Sequence, residues 1–231
     1  MLCYDKRVET LVIRDLGRLD YREAWGVQLE THAAVAAGDA PPTLLLVEHP
    51  PAITFGKKGG RSNLLADEDF LASQGFSLYD IERGGDVTYH GPGQLVGYPI
   101  LPIGRKVRNY LRNLEAVMVN VLAEYGLKSE GSPGYAGVWV GDEKVVAIGV
   151  AIKRNVSFHG FAMNVHTDLE HFTYIVPCGL ADKSVTSLSK LTGQRVSLEE
   201  VKPKLVRAFR DVFGVQDVQH IEDEKKQEVL L

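Results

Sequence analysis

The run Arg83-Gly84-Gly85-Asp86-Val87-Thr88-Tyr89-His90-Gly91-Pro92-Gly93-Gln94-Leu95-Val96-Gly97-Tyr98 packs five glycines, an arginine and a histidine between two apolar stretches. Glycine costs backbone entropy inside a regular element, so such a cluster marks positive φ angles or a backbone pressed against something else. A bound ligand fits this pattern; a glycine-rich hairpin with an incidental histidine is the alternative. Cys178 offers chemistry of its own, because it sits in Pro177-Cys178-Gly179, a loop and not an apolar run where a packed cysteine usually lies. A thiol attacks as thiolate, so its pKa of about 8.5 must be lowered by a cation, a histidine or a helix N-terminus. Lys144 opens the otherwise apolar run to Ile152. It is either a hairpin-edge lysine facing solvent or a partly desolvated amine able to share one proton with a thiol. His90 and His159 each precede a glycine, and each either borders a ligand site or is a structural histidine held by backbone hydrogen bonds.

Several chemistries are excluded. No histidine, cysteine or carboxylate cluster has metal-ligand spacing, so no metal is expected. Residues Gly84 to Gly93 match neither the P-loop nor the dinucleotide fingerprint. A formal net charge of -4 over 231 residues argues against a general nucleic-acid binder. Basic residues still gather at Lys57, Lys58 and Arg61, and at Arg105, Lys106, Arg108 and Arg112. The first group forms a loop that either receives an acidic partner or is simply solvated. No apolar run reaches the roughly 18 to 20 residues that span a bilayer, and the N-terminus has no apolar signal core, so a cytoplasmic protein is expected. Cys3 and Cys178 are the two cysteines, and no disulfide is expected between them.

The elements that must position these residues follow from periodicity and punctuation. A strand is expected over Val8 to Ile13, then a helix from the Asp20 cap to Ala37, with Glu23 completing a capping box and Gly38 as the stop. The apolar run Thr43 to Glu48 reads as a strand covered on both faces, which Ile53-Thr54-Phe55 resumes. A short helix over Asp67 to Gln74 and a strand over Ser77 to Ile81 lead into the glycine-rich segment. Arg83 to His90 then lies at a strand end, and Leu95 to Ile100 is the return strand. Lys106 to Tyr125 carries the clearest helical stripe. Gly137 to Val140 and Lys144 to Ile152 form a hairpin, followed by a strand over Val156 to Val165 interrupted at His159-Gly160, and a helical turn over Asp168 to Phe172. Ser197 and Glu200 form a second capping box ahead of an amphipathic helix, irregular at Pro203. The whole chain, 1–231, reads as a single α+β domain on a mixed, largely antiparallel sheet flanked by helices, with a charged tail from about 217 that frays.

Arg83-Gly84-Gly85, Thr88-Tyr89-His90, Gly91-Pro92-Gly93-Gln94-Leu95 and Tyr98 together resemble the signature of the octanoyltransferases of lipoate biosynthesis. Leu46 to Gly56, Gly137 to Gly149, His159 to Asn164, Ile175 to Leu180 and Val185 to Leu188 resemble that family in order and spacing. The resemblance spans Leu11 to Gly214. It implies an α/β sandwich similar to biotin and lipoate protein ligase catalytic domains. It also implies transfer of an octanoyl or lipoyl group from acyl carrier protein to a lysine of lipoyl domains, those of 2-oxoacid dehydrogenase complexes and of the glycine cleavage H protein. Cys178 is then the acyl-thioester nucleophile and Lys144 the residue that lowers its pKa. Substrate binding falls on Arg83, Gly84, Gly85, Asp86, Val87, Thr88, Tyr89 and His90, on Ala147, Ile148 and Gly149, and on Gly160, Phe161 and Ala162. No cofactor is implied, and a monomer is expected. An ATP-dependent ligase on the same fold, or a silent module binding the same partners, are the rival expectations.

Overall fold

The computed structural model describes residues 8–132, 135–176 and 184–222. Strand β1 (Thr10–Arg18) opens the fold. Asp20 caps helix α1 (Tyr21–Ala37) by accepting the Arg22 N–H, and Gly38 ends it at φ 85°. Strand β2 (Thr43–Glu48) follows, then β3 (Ala52–Phe55), α2 (Glu68–Ser73), β4 (Ser77–Asp80), β5 (Val87–His90) and β6 (Gln94–Ile100). Next come α3 (Val107–Ala123), β7 (Glu130–Ser132), β8 (Tyr135–Val140), β9 (Glu143–Lys153) and β10 (Val156–Asn164). The described chain closes with β11 (Ser184–Val185), α4 (Leu188–Thr192), α5 (Leu198–Phe213) and β12 (Asp217–Glu222).

Among the described residues a nine-stranded mixed sheet runs β12-β1-β2-β6-β10-β9-β8-β7, with β11 laid along β9. Pairings from β2 through β7 are antiparallel, whereas β12, β1 and β2 run parallel. The period of two along each strand decides what covers each face. Leu44 and Leu46 of β2, Leu95 of β6, and Phe161 and Met163 of β10 pack with α3 and α5. Leu45, Val47, Val96, Tyr98 and Ala162 instead meet Ala24 and Val35 of α1. Both faces are therefore apolar, which is why β2 reads as a continuous hydrophobic run. The Ser197–Glu200 capping box forms, with the Ser197 N–H donating to Glu200 Oε2 at 2.7 Å, and α5 runs unbroken through Pro203.

Four local expectations are corrected. Ile53 to Phe55 does not rejoin the main sheet, because β3 pairs with β4 and β5 in a separate three-stranded sheet with its own core of Ile53, Phe55, Val87 and Tyr89. Arg83–His90 and Leu95–Ile100 are consequently not two arms of one hairpin. Gly91-Pro92-Gly93 carries the chain from the small sheet into the large one, with Gly93 at φ 78° where a Cβ would press on the His166 backbone at 2.8 Å. Strand β10 is not interrupted at His159, which pairs with Val150 while holding φ 53°; its N–H is taken by Gln28 Oε1 of α1 at 3.0 Å. The tail does not fray at Asp217, since β12 pairs in register with β1 from Thr10↔Asp217 to Asp15↔Glu222, satisfying an edge that would otherwise stand open.

A Cβ added at Gly160 would overlap the Gly97 carbonyl oxygen and lie 2.5 Å from Pro99 Cδ, in the middle of the sheet where backbone cannot yield. Gly160→Ala is expected to lower stability by about 1–3 kcal/mol. Denaturant unfolding should show this as a lower midpoint with an unchanged slope, and an unchanged midpoint would contradict this packing.

Candidate active site

The segment Arg83 to Asp86 is clamped on two sides. The Gly84 N–H donates to the Val150 carbonyl of β9 at 2.9 Å, while Lys57 and Lys58 N–H groups donate to the Arg83 and Gly85 carbonyls at 3.0 Å each. A Cβ on Gly56 would come within 2.6 Å of the Gly85 oxygen, and one on Gly149 within 3.0 Å of the Gly84 oxygen. Here the glycines serve close approach of three backbone segments.

This clamp forms one wall of a largely apolar pocket. Arg83, Gly84, Gly85, Asp86, Val87, Thr88 and His90 line it from one side, and Lys144, Ala147, Ile148, Gly149, Gly160, Phe161 and Ala162 from β9 and β10. Tyr89 does not line it. Strand alternation turns its ring to the opposite face from Thr88 and His90, into the small-sheet core, where its hydroxyl meets His171 Nδ1 at 2.8 Å. Lys144 is 7% exposed, and its Nζ lies 4.7 Å from the centre of the Trp139 ring. The solvent-facing alternative for Lys144 is thereby removed.

Cys178 lies outside the described residues. On one side of its segment the Val176 N–H donates to the Asn63 carbonyl at 2.9 Å; on the other Val185 registers with Lys144, and the Thr186 N–H donates to the Lys144 carbonyl at 2.9 Å.

A wider cleft adjoins the pocket and shares Gly84, Gly85, Asp86, Lys144, Ile148 and Gly149 with it. Lys57 and Lys58 stand on its rim, with Val107, Leu111 and Ile152 on its apolar side. Of the remaining basic residues, exposed Arg105 and Arg108 flank Val107 at the start of α3. Arg61 is engaged elsewhere, with Glu68 at 3.2 Å and Asp80 at 3.1 Å. Among the described residues, no cluster of three metal-ligating side chains occurs and no helix is long and apolar enough to cross a membrane.

Buried polar groups form the pocket floor. Arg83 donates to the Thr54 carbonyl at 2.8 Å and to Thr54 Oγ1 at 2.9 Å. His49 Nδ1 donates to the Leu19 carbonyl at 2.8 Å, so its Nε2 accepts the Tyr98 hydroxyl, also at 2.8 Å. Tyr21 stacks on the His90 ring with centroids 5.6 Å apart. Tyr98 belongs to the signature read from the sequence, whereas Tyr21 and His49 carried little signal there, the one opening a helix and the other preceding Pro50.

Burial lowers the pKa of His49 to about 4, and also lowers those of His90 and His159. An unfolded chain binds these protons near pH 6.5, whereas the folded protein binds that of His49 only near pH 4, so stability falls as pH drops through that window. At pH 5, His49 alone should remove about 2 kcal/mol. Calorimetry should therefore give a lower Tm at pH 5 than at pH 7, and a flat profile would contradict neutral burial.

Residues 20–210 match the lipoyl protein ligase A/B catalytic domain family. The octanoyltransferase of Caldicellulosiruptor saccharolyticus is 45% identical over 206 residues, covering 87% of this chain and 88% of its own. That of Solibacter usitatus is 49% identical over 207 residues, covering 88% and 93%. Among solved structures, a lipoate protein ligase of T. acidophilum with bound lipoic acid superposes with a TM-score of 0.77 at 20% identity, over 96% of this chain and 92% of that one. Lipoate-protein ligase A bound with ATP gives 0.74 at 19% identity, over 95% and 91%. At such identities the structural likeness concerns the fold.

Proposed function

The chain belongs to the lipoyl protein ligase A/B catalytic-domain family and is an octanoyltransferase of lipoate biosynthesis; from this premise we propose that Cys178 takes the octanoyl group from acyl carrier protein and passes it to a lysine of a lipoyl domain. The observation that carries this reading is the position of Lys144. It is buried where the apolar pocket meets the wider cleft, and its carbonyl is bonded by Thr186, just beyond the segment that holds Cys178.

In the first step the Cys178 sulfur attacks the thioester carbonyl, and the carbon–sulfur bond to the phosphopantetheine arm breaks. Lys144, sharing one proton with Cys178, returns that proton to the departing thiol. In the second step the acceptor amine attacks the acyl-cysteine, the Cys178 sulfur leaves, and Lys144 Nζ takes the proton released by the amine. An amine with a free pKa of about 10.4 is mostly protonated at neutral pH, so a positioned proton acceptor is needed here. Val87, Ala147, Ile148, Phe161 and Ala162 offer the acyl chain an apolar lining, with about 0.8 kcal/mol gained per buried methylene. The wider cleft would take the donor's arm, and the acceptors are lipoyl domains of 2-oxoacid dehydrogenase complexes and the glycine cleavage H protein.

Lys57 and Lys58 on the rim fit an acidic donor protein. Reversing both to Glu should raise KM for octanoyl-acyl carrier protein about tenfold while leaving a small octanoyl thioester unaffected, and added salt should reduce the difference. Equal effects on both donors would remove the rim from donor recognition. Octanoylation of a lipoyl domain from octanoyl-acyl carrier protein without ATP tests the function itself; a requirement for free octanoate and ATP would replace it with ligation.

A further inference from the structure

We propose that Gln94 and Asn164 are positioning residues that fix His90 with its proton on Nδ1, so that its Nε2 presents a lone pair in the pocket to a substrate N–H. Both side chains are buried, Gln94 to 1% exposure and Asn164 to 4%. Two backbone carbonyls, which can only accept, set every orientation in the chain of bonds. Asn164 Nδ2 donates to the Thr186 carbonyl at 3.0 Å, so Asn164 Oδ1 must face Gln94. Gln94 Nε2 donates to that Oδ1 at 2.9 Å and to the Tyr89 carbonyl at 3.2 Å. The Gln94 Oε1 is therefore the atom 2.9 Å from His90 Nδ1, and an amide oxygen there requires that Nδ1 carry the hydrogen. Burial, then the neighbouring His49 and Arg83, keep the ring neutral, leaving Nε2 as an acceptor. The same chain runs on to the catalytic strand, because the Thr186 N–H donates to the Lys144 carbonyl. Two amides thus join the pose of His90 to the pose of Lys144.

Resting on the acyl-transfer reading, this geometry selects the chemistry that His90 can meet. An octanoyl chain has no hydrogen-bond donor. The N–H comes either from amides of the donor's pantetheine arm or from the amine of the acceptor lysine. Gln94→Met keeps length and apolar volume but removes both the acceptor for His90 and the donor to Asn164.

The test combines ¹⁵N-histidine NMR with single-turnover kinetics. In the wild type at pH 7 the His90 signal, assigned through His90→Gln, should show protonated Nδ1 and unprotonated Nε2. In Gln94→Met it should shift toward the Nε2–H form, and one half-reaction should slow by about 10- to 100-fold, the cost of losing one buried hydrogen bond to the substrate. Slowed transfer from preformed octanoyl-enzyme to the lipoyl domain would assign the acceptor amine. Slowed acylation by octanoyl-acyl carrier protein, but not by a simple octanoyl thioester without amides, would assign the pantetheine arm. A wild-type spectrum with Nε2–H overturns the proposal, whether or not the variant folds. So does a tautomer shift with both half-reactions unchanged, or a slowed reaction with an unshifted tautomer. The NMR readout needs no turnover, so failure of the acyl-transfer reading remains distinguishable from failure of this one.

Discussion

Cys178→Ala is expected to lower octanoyl transfer on the order of 10⁴-fold or more, the scale on which loss of a covalent nucleophile registers. The reason lies in the proposed two-step path. With the sulfur present, donor and acceptor need never meet, and each step is attack by a held nucleophile on an activated carbonyl. Without it the acceptor amine must reach the thioester while the carrier protein still occupies the cleft, and only proximity of bound groups remains. The melting temperature should stay close to that of the wild type, and binding of octanoyl-acyl carrier protein should persist. Activity within tenfold of wild type, measured by octanoylation of a lipoyl domain, would mean direct transfer.

Lys144→Met should lower the rate by about 10²- to 10⁴-fold, the usual contribution of a positioned acid–base group. Methionine keeps an unbranched apolar stem but has no ammonium to lie over Trp139 and no proton to share. On the proposed path both half-reactions should slow, because the same Nζ would serve the departing thiol and the incoming amine. Alkylation of Cys178 by iodoacetamide at pH 7 should slow as well, a readout independent of substrate. Lys144→Arg separates charge from proton transfer. A guanidinium remains positive but does not give up its proton, so retained turnover in that variant would reduce Lys144 to an electrostatic role.

The pattern of the chain disclosed the large elements because their causes are local. The α3 stripe, the Ser197 capping box and the doubly buried β2 each depend on residues within a few positions. The small sheet was hidden for the opposite reason. Ala52 to Phe55 has the composition of any buried strand, and only long-range pairing with β4 and β5 decides which sheet it joins. Strand β12 was misread as a fraying tail because its charged residues mask an edge pairing to β1, some two hundred positions away. Within the site, the glycine-rich run suggests a backbone close to a ligand, and what the structure shows beside it is other backbone, with Gly56 and Gly149 leaving no room for a Cβ next to the 83–86 segment. Tyr89 illustrates the limit: adjacent letters in one motif face opposite sides of a strand. The Gln94–Asn164 pair was likewise invisible as a pair, because 70 positions separate two amides that meet at 2.9 Å.

On the proposed path the octanoyl group resides on Cys178 between donor and acceptor, which intact-mass spectrometry can follow on the purified protein incubated with octanoyl-acyl carrier protein, without acceptor and beside Cys178→Ser. One octanoyl adduct is expected on the wild type, removed by hydroxylamine and by addition of a lipoyl domain, and no thioester adduct on the variant. A wild-type protein that octanoylates a lipoyl domain yet never carries the adduct on Cys178 would contradict it.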